Sequence, residues 1–123
     1  MTNSLKILVI DDSEFALDQM AEALDQEKHH ILKAQNGKQA LEIFSNHRDI
    51  AIIFTDINMP VMNGIDFCKE LNKANDVIPP IIAVTTEVDA NYKSIAKELG
   101  IVSWLIKPIN HNVLPQIIQQ LVK

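Results

Sequence analysis

The residues with the most chemistry to offer in this sequence each stand at the end of a short apolar run. Asp11 and Asp12 follow Leu5–Ile10, Asp56 follows Ile50–Thr55, Thr85 closes Ile81–Thr85 with Thr86 behind it, and Lys107 with Pro108 follows Val102–Ile106. Taken singly, each has an ordinary explanation: an Asp after a strand commonly caps the next helix, and a lone Lys is commonly solvated. Taken together they are complementary. Three clustered carboxylates repel one another and raise each other's pKa unless a cation lies among them. Hard oxygen donors with open positions suit Mg2+, which keeps several waters and favours one or two carboxylates plus a phosphate. An ammonium and a hydroxyl facing the same space would hold an anion. A carboxylate among them could accept a phosphoryl group as an aspartyl-phosphate.

The elements that must position these groups are legible as changes of period. Five short runs rich in β-branched residues, Leu5–Ile10, His30–Ala34, Ile50–Thr55, Ile81–Thr85 and Val102–Ile106, read as strands. The first, third and fourth are nearly continuous apolar stretches, as strands buried on both faces are. The second is the most polar and belongs at or near an edge. Between them the spacing becomes helical. Leu17, Met20, Ala21 and Leu24 form one stripe, with Ser13 or Asp12 as N-cap. Ala40, Leu41 and Phe44 follow the Asn36-Gly37 turn, and Ile65, Cys68 and Leu71 follow Gly64. Tyr92, Ile95, Ala96 and Leu99 form a fourth stripe closed by Gly100. Val113, Leu114, Ile117, Ile118 and Leu121 form the last, which must start near Asn112 so that Pro115 falls in its first turn. The alternation is (βα)5, which implies a parallel sheet, right-handed crossovers and helices on both faces. Ligands of such sheets bind beyond the carboxyl ends of the strands, where the polar groups above lie.

Composition narrows the classes. At 123 residues the chain is one domain's worth, so 1–123 reads as a single domain, and its 47% hydrophobic and 22% charged residues exclude disorder. The longest apolar run, Ile50–Phe54, is too short to span a membrane. Leu5–Ile10 is broken by Lys6 and runs into acids, unlike a signal peptide. Cys68 is the only cysteine, which excludes an internal disulfide and makes a reducing cytoplasm the natural setting. A net charge of −5 argues against direct nucleic-acid binding. The three glycines, Gly37, Gly64 and Gly100, cannot spell a dinucleotide-binding or Walker A loop.

The sequence closely resembles the receiver domain of two-component response regulators, of the chemotaxis type, over its whole length. The resemblance rests on V-I-D-D-S (Val9–Ser13), T-D-I-N-M-P-V-M-N-G (Thr55–Gly64), A-V-T-T-E (Ala83–Glu87) and W-L-I-K-P (Trp104–Pro108), in order and at matching intervals. It implies a three-layer, flavodoxin-like doubly wound fold with strand order 2-1-3-4-5. By resemblance, Asp56 is the phosphoacceptor, and Asp11, Asp12, Asp56 and the backbone carbonyl of Asn58 hold Mg2+. Lys107 pairs with the phosphoryl oxygens and Thr85 donates its hydroxyl to one. Thr85 and the strand-5 aromatic, here Trp104 in place of the commoner Tyr or Phe, form the conformational switch. Asn58 and Glu87 flank the pocket at positions that tune loss of the phosphoryl group, and Lys107-Pro108 matches a cis bond. Asn63 stands where Asp is commoner, and Ile101 where a small residue is usual. The implied partners are a sensor histidine kinase or histidine phosphotransfer protein upstream and a protein target downstream. Lys93, Lys97 and Trp104 belong to the expected output surface.

Other residues read more plainly. His29, His30 and His47 are expected at the surface, His111 at a helix start and Cys68 in the core. Met59 and Met62 shape the loop after Asp56 or meet a partner. A small Mg2+-dependent phosphatase with an aspartyl-phosphate intermediate is the main alternative, but it wants a second acid where Asn58 stands. A flavodoxin-like binding module would bring phosphate to the first loop, where Asp11 and Asp12 repel it. Met1 and the complete last helix favour an independent chain over a receiver cut from a longer one.

Overall fold

Parallel pairing of the five apolar runs builds one sheet in the order β2-β1-β3-β4-β5. The strands are β1 (Lys6–Ile10), β2 (His30–Ala34), β3 (Ile50–Asp56), β4 (Ile81–Thr85) and β5 (Ile101–Ile106). The helices between and after them are α1 (Glu14–Asp25), α2 (Gly37–Asn46), α3 (Gly64–Ala74), α4 (Ala90–Leu99) and α5 (Leu114–Leu121), the last preceded by a 3-10 turn at His111–Val113. This computed structural model describes residues 4–25, 28–86 and 90–121, the last of these without the side chains of 90–93. The expected (βα)5 order and doubly wound topology are both present, with the polar second strand at an edge.

The period of two along each strand divides the core into two layers. Ile7 and Val9 of β1, Ile52 and Phe54 of β3, and Ile82 and Val84 of β4 pack with Leu17, Met20 and Leu24 of α1 and Leu114 and Ile118 of α5. The alternate residues, Leu8, Ile10, Ile53, Ile81 and Ala83, face Phe44 of α2, Phe67, Cys68 and Leu71 of α3, and Ala96 and Leu99 of α4. Burial pushes the Cys68 thiol up to about 12, so it is an inert core group. Pro115 lies in the first turn of α5, as its ring demands, but the turn ahead of it tightens to 3-10 before the α-helix begins at Leu114.

Local side chains set the helix starts. Ser13 Oγ, not Asp12, caps α1 by accepting the Ala16 amide at 3.2 Å. Asn36 Oδ1 accepts the Gln39 amide at 2.9 Å, and Gln39 Oε1 accepts the Gln35 amide at 2.6 Å, a reciprocal cap. Asn63 Oδ1 accepts the Asp66 amide at 2.8 Å, so Asn does at α3 what Asp would. One histidine departs from expectation: His29 is buried, its Nδ1 accepting the Leu5 amide at 3.1 Å, because it folds under the end of β1. His30 is exposed on β2, and His47 is half-buried with its Nδ1 at 3.3 Å from Lys6 Nζ.

The loop between β3 and α3 carries the least ordinary backbone. Val61 adopts φ +69, and its side chain is 78% exposed, so packing does not compensate the strain. The left-handed region costs an L-residue about 1–2 kcal/mol, and most for a β-branched one, whereas Asn visits it readily. Val61→Asn is therefore expected to stabilise the protein by about 1 kcal/mol, read as a higher urea midpoint at an unchanged m-value. An equal or lower midpoint would contradict the strain.

Candidate functional site

Strand order and register decide which strand ends meet. Ile10 of β1 is level with Thr55 of β3, so the residues that follow, Asp11 and Asp56, emerge side by side. Asp56 is level with Val84 of β4, which brings Thr85 to the same edge. Thr85 is in turn level with Ile106 of β5, and the Lys107 amide donates to the Thr85 carbonyl at 2.8 Å, tying the next residue to that edge. The Lys107–Pro108 peptide bond is cis.

The polar groups form a tight constellation. Asp11 is 6% exposed and Asp56 7%, while Asp12 is open to solvent. Carboxylate oxygens of the three lie within 4.8 Å of one another. Lys107 Nζ donates to Asp11 Oδ2 at 2.7 Å and to Asp56 Oδ2 at 3.1 Å. The other oxygens are occupied by amides, Asp11 Oδ1 accepting from Ser13 at 2.9 Å and Asp56 Oδ1 from Ile57 at 2.7 Å. Burial is the main influence on Asp56 and pushes its carboxyl above the ordinary carboxylate range; the Asp11 charge adds to this, and Lys107 and the Ile57 amide oppose it. Burial pulls the Lys107 ammonium down, but its bonds and attraction to Asp11 and Asp56 outweigh that and leave it above an ordinary lysine. The two directions are compatible: one cation gains from two anions, whereas two anions sharing one cation are each only half compensated.

The residues expected to flank or transmit from the site fall into place unevenly. Thr85 is buried at the end of β4. Trp104 is level with Ala83, two residues before Thr85, so it lies on the same face of the sheet, where it packs partly buried against the α2–α4 core layer. Asn58 is exposed in the loop beyond Asp56. Met59 turns into the core beside this loop. Lys97 is exposed on α4; Glu87 lies outside the described residues, as does the side chain of Lys93. Ile101 is buried and level with Ile81, at an irregularity in the β4–β5 register.

Several features at this end of the sheet carried no sequence signal. A cavity of about 380 Å3 lies between α1 and the segment after β5, lined by Val9, Phe15, Met20, Phe54, Val84 and Ile109 and touched by Asp11, Thr86, Lys107 and His111. Phe15 is 73% exposed beside it, off the buried stripe of α1. His111, expected only as a helix start, thus also lines this cavity.

Comparison with known proteins agrees with this geometry. The sequence pattern of the response regulator receiver domain matches residues 7–119. A chemotaxis protein CheY homolog of Campylobacter jejuni is 32% identical over 116 residues, covering 91% of this chain and 88% of that protein. The transcriptional regulatory protein CpxR of Klebsiella pneumoniae is 34% identical over 109 residues, covering 89% of this chain and 45% of that longer protein. The structure of Vibrio cholerae chemotaxis protein CheY4 superposes with a TM-score of 0.88 at 30% identity, over 98% of this chain and all of that one. Sequence and architecture converge on one assignment: the chain belongs to the response regulator receiver domain family, the phosphoacceptor signalling modules of two-component systems.

Proposed function

We propose that Asp56 is the phosphoacceptor of this receiver and that Asp11, Asp12, Asp56 and the main-chain carbonyl of Asn58 hold a Mg2+ ion beside it. The observation that carries the reading is the Lys107 ammonium bonded at once to Asp11 and Asp56, with the Asp12 carboxylate within 4.8 Å of theirs. Three carboxylates this close, with one lysine among them, fit a hard divalent cation. These residues would hold Mg2+, which would supply positive charge to offset that of the phosphoryl oxygens. Asp56 attacks phosphorus as the P–N bond of a phosphohistidine donor breaks, and the imidazole leaves with the bonding pair and takes up a proton. Lys107, already held between the acids, pairs with a phosphoryl oxygen, and the Thr85 hydroxyl donates to another. Catalysis is limited to the domain's own phosphorylation and dephosphorylation.

Thr85 and Trp104 share one face of the sheet two residues apart in register, so movement of Thr85 toward the phosphoryl group changes the space beside the indole. The output surface then consists of Trp104, Lys97 and Lys93, with exposed Val102 and Ile106 on the edge strand alongside. Its target is a protein, and its donor a histidine kinase or phosphotransfer protein of the cytoplasm. No helix of the described residues is long and apolar enough to cross a membrane. The phosphatase reading lacks its acid: Asn58 offers an amide, which cannot protonate a leaving group.

Incubation with acetyl phosphate and Mg2+, followed by intact mass, tests the assignment. One phosphoryl group is expected, absent without Mg2+ and absent in Asp56→Asn, with a change in Trp104 fluorescence in the wild type alone. A full adduct on Asp56→Asn would move the acceptor elsewhere.

The pKa of Asp56 adds a stability prediction. Its folded-state value is raised, so the protein binds this proton more tightly when folded, and stability from this group falls as pH rises from the unfolded to the folded pKa. Above that range the raised folded-state pKa makes this buried carboxyl a net cost to folding. Asp56→Asn is expected to unfold at higher urea than wild type at pH 7 without metal, with the gap closing in acid as Asp56 becomes protonated in both states. Saturating Mg2+ should reverse the ranking, since one hundred times the dissociation constant stabilises by about 2.7 kcal/mol. A gap that widens in acid would contradict the burial argument.

A further inference from the structure

The first N–H groups of a helix lack partners within it, and at α2 one of them is used across the molecule. Asn36 and Gln39 cap the helix reciprocally, while the Gly37 amide leaves the helix and donates to the Met62 carbonyl at 3.0 Å. Met62 lies in the loop that runs from Asp56 through Asn58 to α3. That loop is closed at its base by the Gly64 amide on the Ile57 carbonyl at 2.9 Å, and turned at its tip by the Met62 amide on the Pro60 carbonyl at 2.8 Å. The strained Val61 sits inside this turn. The loop is therefore held at its base by its own backbone and at its outer limb by α2.

The approach of α2 is so close that only glycine permits it. A Cβ at Gly37 would lie 2.7 Å from Met62 Cγ, 2.9 Å from Met62 O and 2.9 Å from Phe67 Cβ. Two of these neighbours are poor at yielding, one being backbone and the other a Cβ at the root of a fully buried side chain. A methyl group there pushes the loop outward and breaks the hydrogen bond from the Gly37 amide to the Met62 carbonyl.

We propose that Gly37 is a positioning residue for the divalent cation: by gripping Met62, the start of α2 holds the Asn58 main-chain carbonyl in place beside Asp11, Asp12 and Asp56. This rests on the reading of that site as a Mg2+ site. Gly37 touches neither cation nor phosphoryl group and acts through Met62. Coupling of this kind is reciprocal, so cation binding must also tighten the grip at Gly37.

The test uses the full chain and Mg2+ alone. In the wild type, amide exchange followed by NMR is expected to slow several-fold at Gly37 when Mg2+ is added, together with amides of the 57–64 loop. In Gly37→Ala, shown to be folded by circular dichroism, the Mg2+ dissociation constant from the same spectra is expected to rise about tenfold, the lower end for residues that support metal ligands indirectly. If Gly37→Ala does not fold, the wild-type exchange decides alone. Slowed loop amides with an unchanged Gly37 amide would overturn the proposal, as would a folded Gly37→Ala with wild-type Mg2+ affinity. Absence of Mg2+ binding by the wild type would instead remove the site reading itself, and this inference with it.

Discussion

Two buried carboxylates on neighbouring strands cannot be held together in an apolar sheet without positive charge between them, and much of this structure answers that demand. The cation in place is the Lys107 ammonium, 2.7 Å from Asp11 and 3.1 Å from Asp56. Lys107 follows β5, while the acids follow β1 and β3, and β4 lies between. Strands stand about 4.8 Å apart, so the side chain must cross the end of β4. A long, flexible stem does this, and the hydrogen bond from the Lys107 backbone amide to the Thr85 carbonyl starts it inward. The result is an Asp56 carboxylate that burial disfavours and that one shared cation only partly compensates.

The core makes this tension sustainable. Both faces of β1, β3 and β4 are covered, one by α1 and α5 and the other by α2, α3 and α4. The central strands therefore cannot slide to separate the acids, because a one-residue slip would exchange every side chain between two packed layers. The same alternation places Thr85 and Trp104 on a common face with Ala83 beside the indole. The acidic edge of the sheet and the edge strand β5 are thereby joined through one layer of packed side chains.

The loop after Asp56 shows how a local cost is tolerated. Val61 occupies a backbone region it disfavours, in a turn fixed by bonds from Gly64 to Ile57, from Met62 to Pro60 and from Gly37 to Met62. Strain of this sort persists only where surrounding contacts over-determine the conformation. Met59 turned into the core and Met62 packed under α2 supply that surrounding. The loop backbone is thus pinned at three points, although its outer side chains are open to water.

What the sequence determined by itself was whatever depends on near neighbours along the chain. Apolar runs, helical stripes, the Asn36-Gly37 turn and the Gly100 terminus are properties of segments of a few residues, so strands, helices and their order were legible. The site acids, Thr85 and Lys107 were legible for a related reason: each directly ends a strand, and a parallel sheet must send all such ends to one edge. Tertiary structure alone decided what depends on contacts between distant segments. His29 is buried because it folds under β1, the Gly37 amide reaches Met62 because two crossovers bring α2 over the loop, and Phe15 borders a cavity because α1 and the segment after β5 leave a gap. None of these leaves a mark in local spacing, since the partner lies tens of residues away and only the packing of the whole sheet brings it near.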